Sequence, residues 1–327
     1  MFVPLTFGIA LLMMITSTVC WGSWANTYKL TRNYRFELFY WDYALGIVII
    51  SLILALTLGS TPSNSTSFMN NVRAADTSNI AYALIGGAIF NIANLLLVAG
   101  IELAGLAIAF PISIGIALIV GVVMSYGLQP KGSPVLLATG VVLAIAAVVM
   151  IGKAYGQLPS GGRTVSRKSV VVCIISGVLM GSFAPFVTRA LTAGHTLSPY
   201  SISVFFTFGA LLCCFVVNVY FMRRPLSGTP VSFSGYFTAR PSYHTLGLLG
   251  GAVWGLGTVF NFVAASLTGV AISYAIGQAA PMVAALWGVL VWKEFSGANT
   301  KAKAYLVAMF VSYVLALTVI SYAYQAA

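Results

Sequence analysis

The sequence is poor in charged residues, and acidic residues are the scarcest of them. Charged residues make up 6% of the 327 positions, against about 25% in a soluble globular domain, and 60% of the positions are hydrophobic. This composition excludes a sizeable soluble domain and predicts an integral membrane protein with several spans. The net charge of +11 does not indicate a nucleic-acid partner, because the basic residues fall in loops between apolar segments.

Cysteine and histidine are too few for a metal centre or a catalytic motif. The four cysteines lie in apolar segments without metal-ligand spacing, and both histidines are expected in loops. The sequence contains no nucleophile elbow, no zinc-binding His/Glu spacing and no phosphate loop. It therefore predicts no enzyme activity, no metal and no cofactor; the residues considered are Cys20, Cys173, Cys213, Cys214, His195 and His244.

Long apolar runs dominate the chain instead. Because a bilayer core takes ~20 residues of helix, we predict an all-α membrane protein with ten spans. The spans form two halves, residues 1–152 and 169–327, joined by a short basic cytoplasmic linker at residues 153–168. The predicted spans cover residues 5–26, 37–58, 79–100, 105–127, 133–152, 169–190, 199–222, 246–265, 270–292 and 302–324.

Two apolar stretches, residues 84–112 and 248–276, repeat one another. They align without a gap at a constant offset of 164, with nine identities in 29 positions and the shared glycines in register. A shorter likeness, between residues 22–25 and 181–184, links the first spans of the two halves. Since each half has an odd number of spans, the sequence predicts two inverted five-helix repeats with a solute site between them.

Basic residues are divided unequally between alternate loops. Thirteen of the sixteen lie on one side, and Arg73, Lys131 and Arg189 lie on the other. The positive-inside rule places the thirteen in the cytoplasm and both termini outside. Glu102, in the turn after the third span, is expected at an external surface.

Several motifs resemble those of a known superfamily. GSWA at 22–25, GGA at 86–88 and LAIAFPISIGIALIVG at 106–121 are similar to segments of the EamA-like, ten-span drug/metabolite transporter superfamily. Within it, the chain looks most like the glucose/ribose uptake proteins, the L-rhamnose–proton symporter and the plant ureide permeases. The resemblance implies a transporter. We expect it to lie in a bacterial cytoplasmic membrane. The long nucleotide-binding-like loop of plant ureide permeases has no counterpart in the short linker.

Two acids near the start of the second span are candidates for proton coupling. Asp42 would lie ~9 Å inside a span that begins near Phe36, and an acid at that depth needs a partner or a proton. The alternative is an ion pair with Arg32 or Arg35 at the helix N-terminus. Asp42-Tyr43 resembles an Asp-Tyr pair of ureide permeases, and Glu37 falls near an acidic position of the rhamnose symporter. Glu37 is also a candidate partner of Arg35.

Polar and aromatic side chains inside the spans are candidates for solute contact. Asn91 and Asn94 are three residues apart and share a helix face, although such amides also form interhelical pairs worth ~1 kcal/mol. Trp24 either stacks on a flat solute or belongs to an interfacial aromatic belt. The full candidate set is Trp24, Asn91, Asn94, Trp254, Asn261, Tyr274 and Gln278.

These features together favour a secondary active transporter that works by alternating access. The expected solute is small, polar and largely uncharged, such as a sugar, a nucleoside or nucleobase, or a ureide, and proton coupling is expected. The expected partners are the solute, the proton and the lipid bilayer, with a homodimer left open. An exporter of amphipathic compounds and a solute-sensing membrane receptor are the alternatives.

Overall fold

The computed structural model describes residues 1–60, 67–158 and 166–325, and these residues form fifteen α-helices, one short 3-10 helix and no strand. Ten helical segments are long and apolar enough to cross a membrane, so the prediction of an all-α membrane protein with ten spans is confirmed. Part of the predicted linker, residues 159–165, lies outside the described residues. The spans, numbered 1 to 10, are Phe7–Leu30, Phe36–Ser60, Thr77–Ala104, Ile108–Leu128, Pro134–Gly156, Arg167–Thr192, Pro199–Arg223, Pro241–Thr268, Val270–Leu290 and Thr300–Gln325.

Three of these spans are interrupted. Span 1 consists of helices Phe7–Ser23 and Ala25–Leu30, and span 7 consists of helices Pro199–Cys214 and Val217–Arg223. Span 9 breaks near its middle into helices Val270–Gly277 and Ala280–Leu290. Short helices Phe68–Ala74 and Phe233–Phe237 lie in the loops before spans 3 and 8.

The repeated stretches have the same local structure in both halves. Spans 3 and 8 are each 28 residues long, and they end at Gly105 and Gly269, with φ of 77° and 83°. The N–H of each glycine donates to the carbonyl four residues earlier, at 2.8 Å. A positive φ is costly for any residue with a Cβ atom, so the two in-register glycines make the same turn into the next span.

Glycines also set how closely spans of different halves approach. A Cβ atom on Gly46 in span 2 would collide with the carbonyl oxygen of Leu248 in span 8. In the reciprocal place, a Cβ atom on Gly209 in span 7 would collide with the carbonyl oxygen of Leu84 in span 3. Leu84 and Leu248 are equivalent in the repeat. The contact of span 2 with span 8 and the contact of span 7 with span 3 therefore involve equivalent leucines.

Candidate functional site

A cavity of about 380 Å³ lies between the two halves. Its lining comes from both halves, and it runs from the middle of the spans to the face where Lys29, Glu102 and Glu294 lie. That face also carries most of the basic loop residues. Among the described residues, the lining reaches this face only, so the cavity is open to one side of the molecule.

The inner end of the cavity is aromatic. Phe90 and Trp254 stack with ring centroids 4.4 Å apart, and Trp21 stacks on the same indole at 5.9 Å. Phe90 and Trp254 are equivalent positions of the repeat, so this stack lies where the two halves meet. Phe183 adds an edge contact to Phe90 at 5.9 Å, and Trp24 lines the wall nearby. Flat aromatic faces of this kind suit a planar solute or a sugar ring.

The break in span 9 opens directly onto the cavity. Gln278 ends the helix Val270–Gly277, and Gly277, Gln278, Ala280 and Pro281 all line the wall. Pro281 has no N–H to donate to the Gly277 carbonyl, which explains a break at this place. Interrupted helices at the middle of the membrane form the binding sites of many secondary transporters.

Two amides supply the hydrogen-bonding groups of the inner wall. The side chain of Gln278 is 8% exposed and makes no hydrogen bond to any described residue, so its donors and acceptor are free to meet a solute. Asn94 also lines the cavity, and its Nδ2 donates to the Tyr40 hydroxyl at 3.3 Å. The carbonyl oxygen of the Asn94 amide remains as an acceptor.

An ion pair closes part of the cavity mouth. Lys29, at the end of span 1, pairs with Glu294, which follows span 9. The Tyr155 hydroxyl donates to Glu294 Oε2 at 3.1 Å, and the Lys29 ammonium lies 4.4 Å from the centroid of the Trp292 ring. Trp292 in turn donates from Nε1 to Asn26 Oδ1 at 2.6 Å. This cluster ties span 1 to the end of span 9 across the opening.

Glu102 lies at the same mouth, so its expected external position is incompatible with the predicted cytoplasmic position of the basic loops. It lines the cavity together with Lys29 and Glu294, on the face that carries most of the basic residues. Spans 1 and 3 run in the same direction through the molecule. The last turn of span 3, which carries Glu102, therefore lies at the same face as the end of span 1.

Asp42 and Glu37 lie outside the cavity lining. Asp42 is buried; it accepts a hydrogen bond from the Tyr236 hydroxyl at 2.7 Å, and its Oδ2 lies 2.8 Å from His244 Nδ1. Burial, aided by the hydrogen bond to Asp42, raises the pKa of the Tyr236 phenol, so this group stays a donor at neutral pH. His244 belongs to the first turn of span 8 and not to a loop.

Glu37 is bound by its neighbour. Arg35 donates to it twice, from Nε at 3.1 Å and from an Nη at 2.6 Å, so the predicted pair with Arg35 is confirmed. Arg35 also donates to the backbone carbonyls of Ser227 and Thr229. The Arg35–Glu37 pair therefore fastens the loop between spans 7 and 8 to the start of span 2.

Three other candidates are buried away from the cavity. The Asn91 Oδ1 accepts from the Cys214 thiol at 3.3 Å, and Asn261 Nδ2 donates to the Ser273 carbonyl at 2.9 Å. The Tyr274 hydroxyl donates to the carbonyls of Ala117 and Met180 at 3.3 and 3.2 Å. The structure thus brings Trp24, Asn94, Trp254 and Gln278 to the cavity and holds these three in helix contacts.

Sequence reasoning missed several lining residues. Phe90 was predictable as the repeat equivalent of Trp254, and Trp21 lies one turn from Trp24. Lys29, Tyr155 and Glu294 carry no such signal, because they appear in the sequence as ordinary residues at span ends.

The structure combines ten apolar spans with a cavity that opens to one face and a span that is broken beside it. This architecture is typical of membrane solute transporters. Comparison with known proteins agrees. The family model described as Ureide permease matches residues 167–323. The chain is also 21% identical to Ureide permease 1 of Arabidopsis thaliana over an alignment of 381 positions, covering 96% of each protein.

Further similarities are shorter or more distant. Ureide permease 5 of Arabidopsis thaliana is 29% identical over 119 residues, covering 35% of this chain and 28% of that protein. One crystal structure of a protein shares the fold, with a TM-score of 0.65 at 15% identity, covering 94% of this chain and 96% of that one. The matched family consists of transport proteins and not of enzymes, so the prediction of a transporter is confirmed, as is the likeness to ureide permeases. These relatives are plant proteins, so the expectation of a bacterial membrane gains no support.

Proposed function

We propose that this protein is a secondary transporter that moves a small, polar, largely uncharged solute by alternating access. The observation that carries the proposal is the cavity itself. It opens to one face, and it ends in the middle of the spans at an interrupted helix, where the Gln278 amide lies beside the Trp254–Phe90 stack. A site that is open to one side and closed to the other is one of the two states that alternating access requires.

The solute is proposed to be a ureide or a chemically similar compound. A cavity of about 380 Å³ is within the range of small-molecule sites, which is roughly 300–1,000 Å³. Amide groups on Gln278 and Asn94 can each donate and accept, as the N–H and C=O groups of a ureide, a nucleobase or a sugar hydroxyl require. The relatives named ureide permeases favour the ureide among these.

The two halves are proposed to be inverted repeats with the basic face in the cytoplasm. The reciprocal glycine contacts and the matched turns at Gly105 and Gly269 support a two-fold relation between the halves. Since each half contains five spans, that relation turns one half over in the bilayer. The positive-inside rule then makes the cavity inward-facing and places both termini outside.

Proton coupling is proposed to act through Asp42 and not through a group that touches the solute. His244 contacts both Asp42 and solvent, since 26% of its side chain is exposed, so it offers a route for a proton to the buried carboxylate. Asp42 packs against Gly247 in span 8, the span that carries Trp254. A change of charge on Asp42 therefore acts on the contact between spans 2 and 8.

An exporter of amphipathic compounds is the second candidate. It is favoured by the predominance of aromatic and aliphatic side chains in the lining, such as Trp21, Phe90, Leu97, Phe110 and Phe183. Such an exporter would bind its substrates without hydrogen bonds to the amides of Gln278 and Asn94.

The test is a counterflow exchange assay in proteoliposomes with a radiolabelled ureide, nucleobase and sugar. We expect exchange of at least one of them, and a roughly tenfold higher half-saturating concentration in Gln278→Ala and Asn94→Ala, since losing a hydrogen bond to the solute costs about 1.4 kcal/mol. Asn91→Ala is the matched control, because Asn91 lies one turn from Asn94 and outside the lining. Exchange of a radiolabelled hydrophobic cation, without exchange of any of the three solutes, would instead identify the exporter.

A further inference from the structure

Three residues that line the open cavity have equivalents in the other half that are packed shut. With the offset of 164, Asn94, Leu97 and Phe110 correspond to Thr258, Asn261 and Tyr274. All three equivalents are buried, with exposures of 1%, 2% and 1%. They occupy the matching turns of spans 8 and 9, which lie towards the face opposite the open one.

The closed side is held by identifiable contacts. The Tyr274 hydroxyl donates to two backbone carbonyls, Ala117 in span 4 and Met180 in span 6, and the Tyr274 ring lies against Gly121. A Cβ atom on Gly181 would come 2.7 Å from the Ala117 carbonyl oxygen, so spans 4 and 6 are also in close contact here. In the other half, Phe110 stands in the place of Tyr274 and borders the open cavity instead.

We propose a second binding cavity, entered from the face opposite the open one and lined by Thr258, Asn261 and Tyr274, which this structure holds closed. The proposal rests on the proposed transport function and deepens it, because it names the residues that meet the solute in the other state. The proposal is based on the reciprocal packing of the halves. When each half adopts the contacts that the equivalent residues of the other half make now, the open side closes and the closed side opens.

The chemistry of this second cavity differs from that of the first. Leu97 is replaced by Asn261, so a buried amide is added where the open side has an alkyl group. Of the charged residues at the open mouth, Lys29 corresponds to Thr188 at the offset of 159 that relates residues 22–25 to 181–184, and Glu102 corresponds to Ser266 at the offset of 164. Both equivalents are uncharged, while the Lys131 ammonium donates to the Ser266 carbonyl and leaves a basic group at this end. The inner wall of the second cavity therefore suits a solute with several hydrogen-bonding groups.

In the present state, these polar groups are engaged within the protein. The Thr258 hydroxyl accepts from Trp21 Nε1 at 3.1 Å, and Asn261 donates to Ser273 at 2.9 Å. Trp21 lines the open cavity, so Thr258 links the closed side to the open one. If the closed side opens, the hydrogen bonds of Thr258 and Asn261 break, so these two residues report on the second state.

The test is accessibility of single introduced cysteines to a membrane-impermeant maleimide. Thr258→Cys and Asn261→Cys are reconstituted in proteoliposomes, and labelling from each side is read at each position by peptide mass spectrometry, so the four native cysteines remain. Asn94→Cys marks the open side. Thr207→Cys is the matched control, because Thr207 is equally buried in span 7 and is bonded to Ser203 within its own helix.

We expect positions 258 and 261 to be labelled from the face opposite to the one that labels position 94, and position 207 to be labelled from neither. Tyr274→Phe removes both carbonyl contacts and should increase the labelling rate at position 258 roughly tenfold. The second cavity would be overturned if both positions were labelled only from the side that labels Asn94→Cys, or from neither side in variants that still exchange solute. The transport function would stand in either case. Loss of exchange in the unmodified protein for every solute class would overturn both.

Discussion

At the scale of single residues, two asparagines one helical turn apart in span 3 have different surroundings. Asn91 and Asn94 were predicted to share a face, and they do lie about 60° apart on one helix. The cavity is narrow enough that only Asn94 reaches it, while Asn91 packs on Cys214. Since apolar residues occur on every side of spans 2, 3 and 4, the sequence carries no amphipathic pattern that shows which side meets a cavity.

Asp42 gives the first prediction at this scale. Replacing Asp42 by Asn keeps the size of the side chain and removes its charge, so we expect accumulation driven by a proton gradient to disappear while counterflow exchange of the same solute continues. The measurement is uptake into proteoliposomes with and without an imposed pH gradient. Glu37→Gln is the control, because Glu37 is occupied by Arg35 and should keep the gradient dependence. Unchanged uphill uptake by Asp42→Asn would remove this residue from the coupling mechanism.

At the scale of elements, all ten spans follow from length and hydropathy, because hydrocarbon forces every backbone polar group to bond within its own helix. The breaks are less predictable. Pro111 and Pro281 are both prolines inside apolar spans, but span 4 continues through Pro111 while span 9 breaks three residues before Pro281. Whether a proline interrupts a helix depends on the packing around it, which the local sequence does not contain.

Pro281 therefore supports a prediction about the break itself. Pro281→Ala supplies the missing N–H, so we expect a more continuous span 9, a higher midpoint of thermal unfolding and several-fold slower exchange, because the rigid helix resists the change of state. Exchange rates and unfolding curves of purified protein measure the two effects. Pro111→Ala in the uninterrupted span 4 is the matched control, and it should slow exchange much less. Equal slowing by both substitutions would show that the break in span 9 has no special role.

At the scale of the whole molecule, the repeat was the most informative part of the sequence. The in-register glycines that revealed it, such as Gly87 and Gly251, stand where spans of opposite halves touch: a Cβ atom on either would collide with a carbonyl oxygen, of Phe206 in one case and Tyr43 in the other. Gly209, which packs against Leu84 of the repeat, was not recognised, because it lies in span 7, where no repeat identity was detected. The cavity volume and the closed side follow from tertiary packing and were not predictable.

This reciprocity predicts matched effects of matched substitutions. Gly87→Ala and Gly251→Ala each force two spans apart, so each should lower the free energy of unfolding by ~1–3 kcal/mol, and by similar amounts. Thermal unfolding in a single detergent gives the comparison. Gly127→Ala is the control, because no atom lies within 4 Å of a Cβ atom built there. A large loss for one glycine and none for its counterpart would contradict the equivalence of the two interfaces.

The aromatic lining has an optical consequence. Four of the six tryptophans, Trp21, Trp24, Trp254 and Trp292, border the same cavity, two of them stacked on each other. Indole emission responds to nearby water and to quenching groups, so four of the six indoles can report on changes in this cavity. The unmodified chain thus carries its own spectroscopic probe, and a titration followed by its emission can detect occupancy without a label.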